Sequence, residues 1–118
     1  MTSDRDLRAR LTAERQSALA RVTALEHDFA GLVAAAEGAN ADDEHDPEGA
    51  TLAFERQHLA ALLEQARQQV AAVTAALGRL ADRTYGRCER CGEPIPAARL
   101  AARPTATTCV GCTARQAR

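Results

Sequence analysis

The chain has 118 residues, 46% of them apolar but only 3% aromatic, with no Trp, two Phe and one Tyr. That length holds one domain, or one long element with a small appendage, and an Ala- and Leu-rich composition suits helices packed side by side better than a thick globular core. Net charge is −1, no apolar run approaches membrane-spanning length, and the charged N-terminus is unlike a secretory signal, so the expectation is a soluble cytoplasmic protein with no membrane partner.

Helix 1 is predicted to start at Ser3, whose hydroxyl is placed to cap the first turn, with Asp6 three residues later as in a capping box. Apolar residues then recur at Leu7, Leu11, Ala18, Val22, Leu25, Phe29, Leu32 and Ala36, mostly three or four apart, which is a coiled-coil seam. Gly38 ends it. From Gly38 to Gly49 runs a turn-rich stretch with five acids, Asp42, Asp43, Glu44, Asp46 and Glu48. Its plainest reading is a solvated loop whose last residues, Asp46, Pro47 and Glu48, start helix 2 with an N-cap, a proline at the first position and an acid in the first turn. The spacing lacks the alternating acids, glycine and terminal Glu of a calcium loop.

Helix 2 carries a second seam at Leu52, Leu59, Leu62, Ala66, Val70, Val73, Leu77 and Leu80, and stops before Thr84 and Tyr85. Each helix is about 33 to 35 residues, roughly 50 Å long, and equal lengths joined by a short loop predict an antiparallel hairpin. In that register Leu32 faces Phe54 and Leu7 faces Arg79 or Leu80, and both Phe29 and Phe54 fall near the seam as packing residues. His27, His45 and His58 are scattered over the helices and loop without convergent partners. No nucleophile, base and orienting group come together anywhere, so the chain reads as a non-enzyme.

Near the C-terminus Cys88, Cys91, Cys109 and Cys112 form two C-x-x-C pairs with seventeen residues between them, and no cysteine is left over. Two residues between thiolates let one turn present both to one metal, and four thiolates fill a tetrahedral shell, so this spacing points to one structural zinc ion with no open catalytic position. Iron bound by the same four thiolates has the same spacing. A disulfide pair and a thioredoxin-like redox motif fit less well, since the expected compartment is reducing and no βαβ pattern surrounds the pairs. The segment is short, with Tyr85 as its only aromatic, so metal binding is what would fold it. Residues 1 to 82 carry eight arginines and fourteen acids, a net −6, whereas residues 83 to 118 carry seven arginines and two acids, a net +5. Zinc with four thiolates lowers the second figure by two, leaving a weak basic patch.

The fold class expected is therefore all-α: a long antiparallel coiled-coil hairpin over residues 1–83, with an acidic tip loop at 38–49, and a small four-cysteine zinc finger over 84–118. The stretch from Tyr85 to Cys112, with its Tyr-Gly entry, both cysteine pairs, Ile95-Pro-Ala-Ala-Arg-Leu100 and Arg103-Pro-Thr-Ala-Thr107, closely resembles the DksA/TraR C4-type zinc finger family. That resemblance implies a transcription regulator that binds RNA polymerase rather than promoter DNA, with the coiled-coil tip entering the secondary channel and the zinc globule docking at its mouth. The family tip pattern Asp-x-x-Asp-x-Ala falls on Asp43 and Asp46, with Glu48 at the alanine position. Six residues follow Cys112, where larger relatives of the resembled family carry a C-terminal helix that also contacts polymerase, so the expectation is that this surface is missing or shortened. Joint action with guanosine tetraphosphate is not carried over. A monomer is expected. Two other readings of the residues stand beside this one: a zinc-ribbon nucleic-acid binder using Arg87, Arg90, Arg99 and Arg103, and a thiol-based redox sensor that releases zinc on oxidation.

Overall fold

The computed structural model describes residues 3–38 and 47–116, and they form four helices: α1 (Asp4–Gly38), α2 (Pro47–Asp82), α3 (Ala97–Ala102) and α4 (Val110–Gln116). Residues 39–46 of the acidic loop, including Asp43, His45 and Asp46, lie outside the described residues. Among those described, the β pairing is a single antiparallel bridge between Arg87 and Pro94. No described helix is long and apolar enough to cross a membrane.

Local chemistry sets the start of α1 and the end of α2 where the sequence put them. The Asp6 amide donates to Ser3 Oγ at 3.1 Å and the Leu7 amide to the Ser3 carbonyl at 2.9 Å, so Ser3 satisfies amides that the first turn leaves open. The other end of α2 closes through Arg83, which takes a left-handed backbone at φ 63°. This turn lets the Thr84 and Tyr85 amides reach back to the Arg79 carbonyl at 2.9 and 3.2 Å. The left-handed backbone of a non-glycine residue costs about 1 kcal/mol, which the recovered hydrogen bonds offset.

The chain divides into two compact units. One comprises Met1–Arg15 with Ala71–Arg118. Its helical core is Leu11, Val73, Ala76 and Leu80, with Leu7, Leu77 and Tyr85 packed around them, so the start of α1 runs antiparallel to the end of α2. Arg15 Nε adds a 2.8 Å bond to Thr74 Oγ1 across the same pair. The other unit, Gln16–Val70, is centred on Leu25, Leu63 and Ala66, flanked by Val22, Leu59 and Leu62, with Arg67 reaching Glu26 at 3.2 Å. The two long helices are thus packed together as an antiparallel pair, of 35 and 36 residues.

Two features differ from the expected seam. Leu63 and Ala76 are buried although the periodic reading passed over both, and Phe54, expected opposite Leu32, is 72% exposed. Helical geometry explains the second: Phe54 lies nine residues before Leu63, which at about 100° per residue puts it about 180° away, on the opposite face of α2.

Candidate metal centre

The finger begins where α2 ends, and two glycines shape its first turn. Gly86 and Gly92 have φ of 85° and 75°, a left-handed backbone that any side chain would strain. Between them the chain folds back on itself. The Ile95 amide donates to the Gly86 carbonyl at 2.7 Å, the Cys88 amide to the Glu93 carbonyl at 2.8 Å, and the Gly92 amide to the Cys88 carbonyl at 2.9 Å. This tight turn presents Cys88 and Cys91 together. The second pair is placed by α4: the Thr113 amide bonds the Cys109 carbonyl at 3.0 Å, and the Cys112 amide points at Cys109 Sγ at 3.4 Å. The Glu89 amide, bonded to the Thr107 carbonyl at 2.9 Å, joins the two arms.

All four Sγ atoms consequently lie within 4.8 Å of one another. Cys91 and Cys109 are 3.9 Å apart, close to the separation of about 3.8 Å that a tetrahedron with 2.3 Å zinc–sulfur bonds requires. The donor set and its spacing fit one zinc ion, and four thiolates leave no open position, which is the form of a structural site. Among the described residues this is the group of His, Cys, Asp and Glu side chains that could hold a metal; His27 and His58 are exposed on the long helices.

The thiols are electrostatically unequal. Backbone amides of Cys91 and then Cys109 favour the Cys88 thiolate and pull its pKa down to about 6. At Cys91 the Glu93 backbone amide favours the thiolate, but the hydrogen bond with the Cys88 sulfur and burial outweigh it, and the pKa rises to about 11. Cys109 is lowered, chiefly by the Cys112 amide. Cys88 and Cys112 are each 2% exposed and pack with Ile95, Leu100 and Cys109, whereas Cys91 is open to solvent.

Three arginines of the finger bond the finger itself. Arg87 donates to the Gly92 carbonyl at 3.0 Å, and Arg99 to the Thr108 carbonyl at 2.9 Å and Thr113 Oγ1 at 3.1 Å. Thr108, a buried polar residue, shares its hydroxyl with Thr113, so Arg99 on α3 ties down both ends of the second cysteine arm. Arg115 points its guanidinium at Cys112 Sγ at 2.9 Å, and the sulfur holds the Arg115 proton more firmly than usual. Sequence reasoning missed Arg115. Its signal was the spacing of three residues from Cys112, which on a helix puts the two on one face.

Tyr85 links the finger to the helix ends within the same unit, packing against the Leu11 cluster while its hydroxyl donates to the Pro104 carbonyl at 2.7 Å.

The prokaryotic dksA/traR C4-type zinc finger profile matches residues 83–116. The RNA polymerase-binding transcription factor DksA from two strains of Caulobacter vibrioides is 46% identical over 55 residues, 47% of this chain. That match spans only 39% of those relatives' length. The structure of transcription factor DksA2 from Pseudomonas aeruginosa superposes with a TM-score of 0.78 at 31% identity, covering 96% of this chain and 81% of that one. Finger, helix pair and cysteine cluster therefore agree with one lineage along nearly the whole chain, and the chain belongs to the DksA/TraR family of C4-type zinc-finger proteins.

Proposed function

We propose that this chain is a non-enzymatic transcription regulator that binds RNA polymerase, its hairpin tip entering the secondary channel and its finger docking at the channel mouth. The observation that carries the reading is likeness to DksA2 over 96% of the chain, joined to the polymerase-binding role in the name of the Caulobacter relatives. In this reading Cys88, Cys91, Cys109 and Cys112 hold the zinc ion, and residues 84–118 act as the docking module of a cytoplasmic monomer. Asp43 and Asp46 are the effector groups. Their charge acts beside the catalytic metal region of polymerase and biases the lifetime of promoter complexes through different interaction with two polymerase states.

A nucleic-acid binder built on the finger is the weaker reading for a specific reason. Of the four arginines it would use, Arg87 and Arg99 already bond backbone carbonyls of the finger. Their guanidinium groups brace the fold rather than form a free basic face, and sequence-specific DNA contact is not expected.

The test is capture of purified core RNA polymerase by the wild-type chain and by Asp43→Asn/Asp46→Asn, with promoter-complex lifetime measured on the same samples. Binding by both proteins, with the lifetime effect lost only in the variant, is the expected result. Absence of wild-type binding overturns the proposal, and steeply salt-dependent DNA binding in its place would favour the nucleic-acid reading.

A further inference from the structure

We infer that Arg115 is a positioning residue of the metal centre: its guanidinium, 2.9 Å from Cys112 Sγ, supplies the hydrogen bond and counter-charge that hold this sulfur in place on the metal. The inference rests on the reading that the four cysteines ligate zinc.

The argument begins with charge. Four thiolates around a divalent cation leave the centre at −2, and such a centre persists in a small finger only if neighbouring donors take up that charge. On the first arm the chain folds tightly around Cys88. On the second arm Cys112 is 2% exposed, so water does little to solvate its sulfur. The group that reaches it is Arg115, one turn further along α4, with its NH2 nitrogen 2.9 Å from Sγ. A guanidinium suits this place because it is always charged and presents N–H donors in a rigid fork.

Arg115 is also held in position indirectly. Arg99 bonds Thr113 Oγ1 and the Thr108 carbonyl, which fixes the first turn of α4 and the residue preceding Cys109. The sulfur and its counter-charge sit on one braced turn. Two consequences follow. Zinc leaves the site more slowly than it would from a centre with Cys112 uncompensated, and the Cys112 sulfur donates less electron density to the metal, which makes it a weaker nucleophile toward electrophiles.

The test compares the full-length wild type with Arg115→Ala, Arg115→Lys and, as a control removing the same charge from an exposed position of the finger, Arg103→Ala. Zinc transfer to a chromogenic chelator is timed, the sulfur-to-cobalt charge-transfer band of the cobalt-substituted proteins is recorded, and circular dichroism reports folding. Expected are zinc loss about tenfold faster in Arg115→Ala, in line with other residues that support metal ligands, a charge-transfer band moved to lower energy, partial recovery in Arg115→Lys, and wild-type behaviour in Arg103→Ala. The band shift reads the sulfur itself, so a fault confined to packing of α4 leaves it unmoved. Rates within twofold of wild type with an unchanged band overturn the inference while leaving the zinc reading intact, and so does an equal effect in Arg103→Ala. A wild-type protein that takes up no zinc overturns both.

Discussion

Tyr85 donates its phenolic hydrogen to the carbonyl oxygen of Pro104 at 2.7 Å while its ring packs on the Leu11, Val73, Ala76 and Leu80 cluster. One side chain thereby fastens the finger to the ends of the long helices. Tyr85→Phe keeps the ring and removes the bond, leaving the carbonyl of the buried Pro104 without that donor. The expected cost is about 1 kcal/mol, rising toward about 2 if no water replaces the hydroxyl. Chemical denaturation of zinc-loaded protein at fixed zinc concentration measures it, and an unchanged midpoint would show that the bond contributes nothing net.

The same hydroxyl provides a pH signature. Burial raises the Tyr85 pKa above 10.0, against the lowering influence of Arg79 and Arg10. Folded and unfolded states are both protonated below the unfolded pKa, so the stability from this group is fully present there. It is lost as pH rises from about 10 through the folded value. With one Tyr and no Trp, phenolate absorbance near 295 nm reports this single site. The midpoint should lie above 10 in the zinc-loaded protein and return to about 10 when the protein is unfolded. Equal midpoints in the two states would contradict the buried environment.

Leu11 and Phe54 separate a core position from a surface one. Leu11 is fully buried, and Leu11→Ala should cost about 2 to 5 kcal/mol through lost apolar contact and the cavity left behind. Phe54 is 72% exposed, and Phe54→Ala should change stability by no more than about 0.5 kcal/mol. Thermal unfolding of the two variants beside wild type checks both. A large loss at Phe54 would place it in a contact that this structure lacks.

These two residues also show how far the sequence could be read. Leu11, Val73 and Leu80 belong to seams with mostly three- and four-residue spacings, and each is buried. Ser3 marks a helix end through local chemistry, so its effect needs no tertiary information. Phe54 misled because an aromatic residue near a seam looks like a packing residue, whereas its angle about the helix axis depends on which neighbours set the stripe. Leu63 and Ala76 were passed over for the converse reason: each adjoins a residue of the expected seam, Leu62 or Leu77, and the choice between neighbours is made by the partner helix. At the metal centre the four cysteines were legible because ligand spacing is local. Arg99 and Arg115 were not read as braces of the site, because their partners are a carbonyl, a hydroxyl and a sulfur whose positions exist only once the finger is folded.

The ion pair between Arg67 and Glu26 joins the two helices at 3.2 Å, with both side chains about half exposed at 53% and 51%. Water screens such a pair, so Glu26→Gln should cost no more than about 1 kcal/mol. The difference from wild type should shrink in 1 M salt, where the Debye length falls to about 3 Å. Denaturation at low and high salt measures it. A loss that persists at high salt would mean that packing of the Glu26 side chain, not its charge, matters.

Zinc removal should act unevenly. Structural zinc supplies on the order of 10 kcal/mol of folding free energy to small fingers, and the apolar core here is only Cys88, Ile95 and Cys112 with Leu100 and Cys109 at its edge, three of these five being ligands themselves. Without metal too little apolar area remains to order the segment. The long helices differ, since the Leu25, Leu63 and Ala66 cluster contains no residue of the finger. A strong chelator, or Cys112→Ser, should therefore abolish the raised Tyr85 pKa while far-UV circular dichroism retains most of its helical signal, because α3 and α4 contribute six and seven residues against 35 and 36 in α1 and α2. Collapse of the whole helical signal on chelation would show instead that the hairpin needs the finger to fold, through the contact that Tyr85 makes with Leu11 and its neighbours.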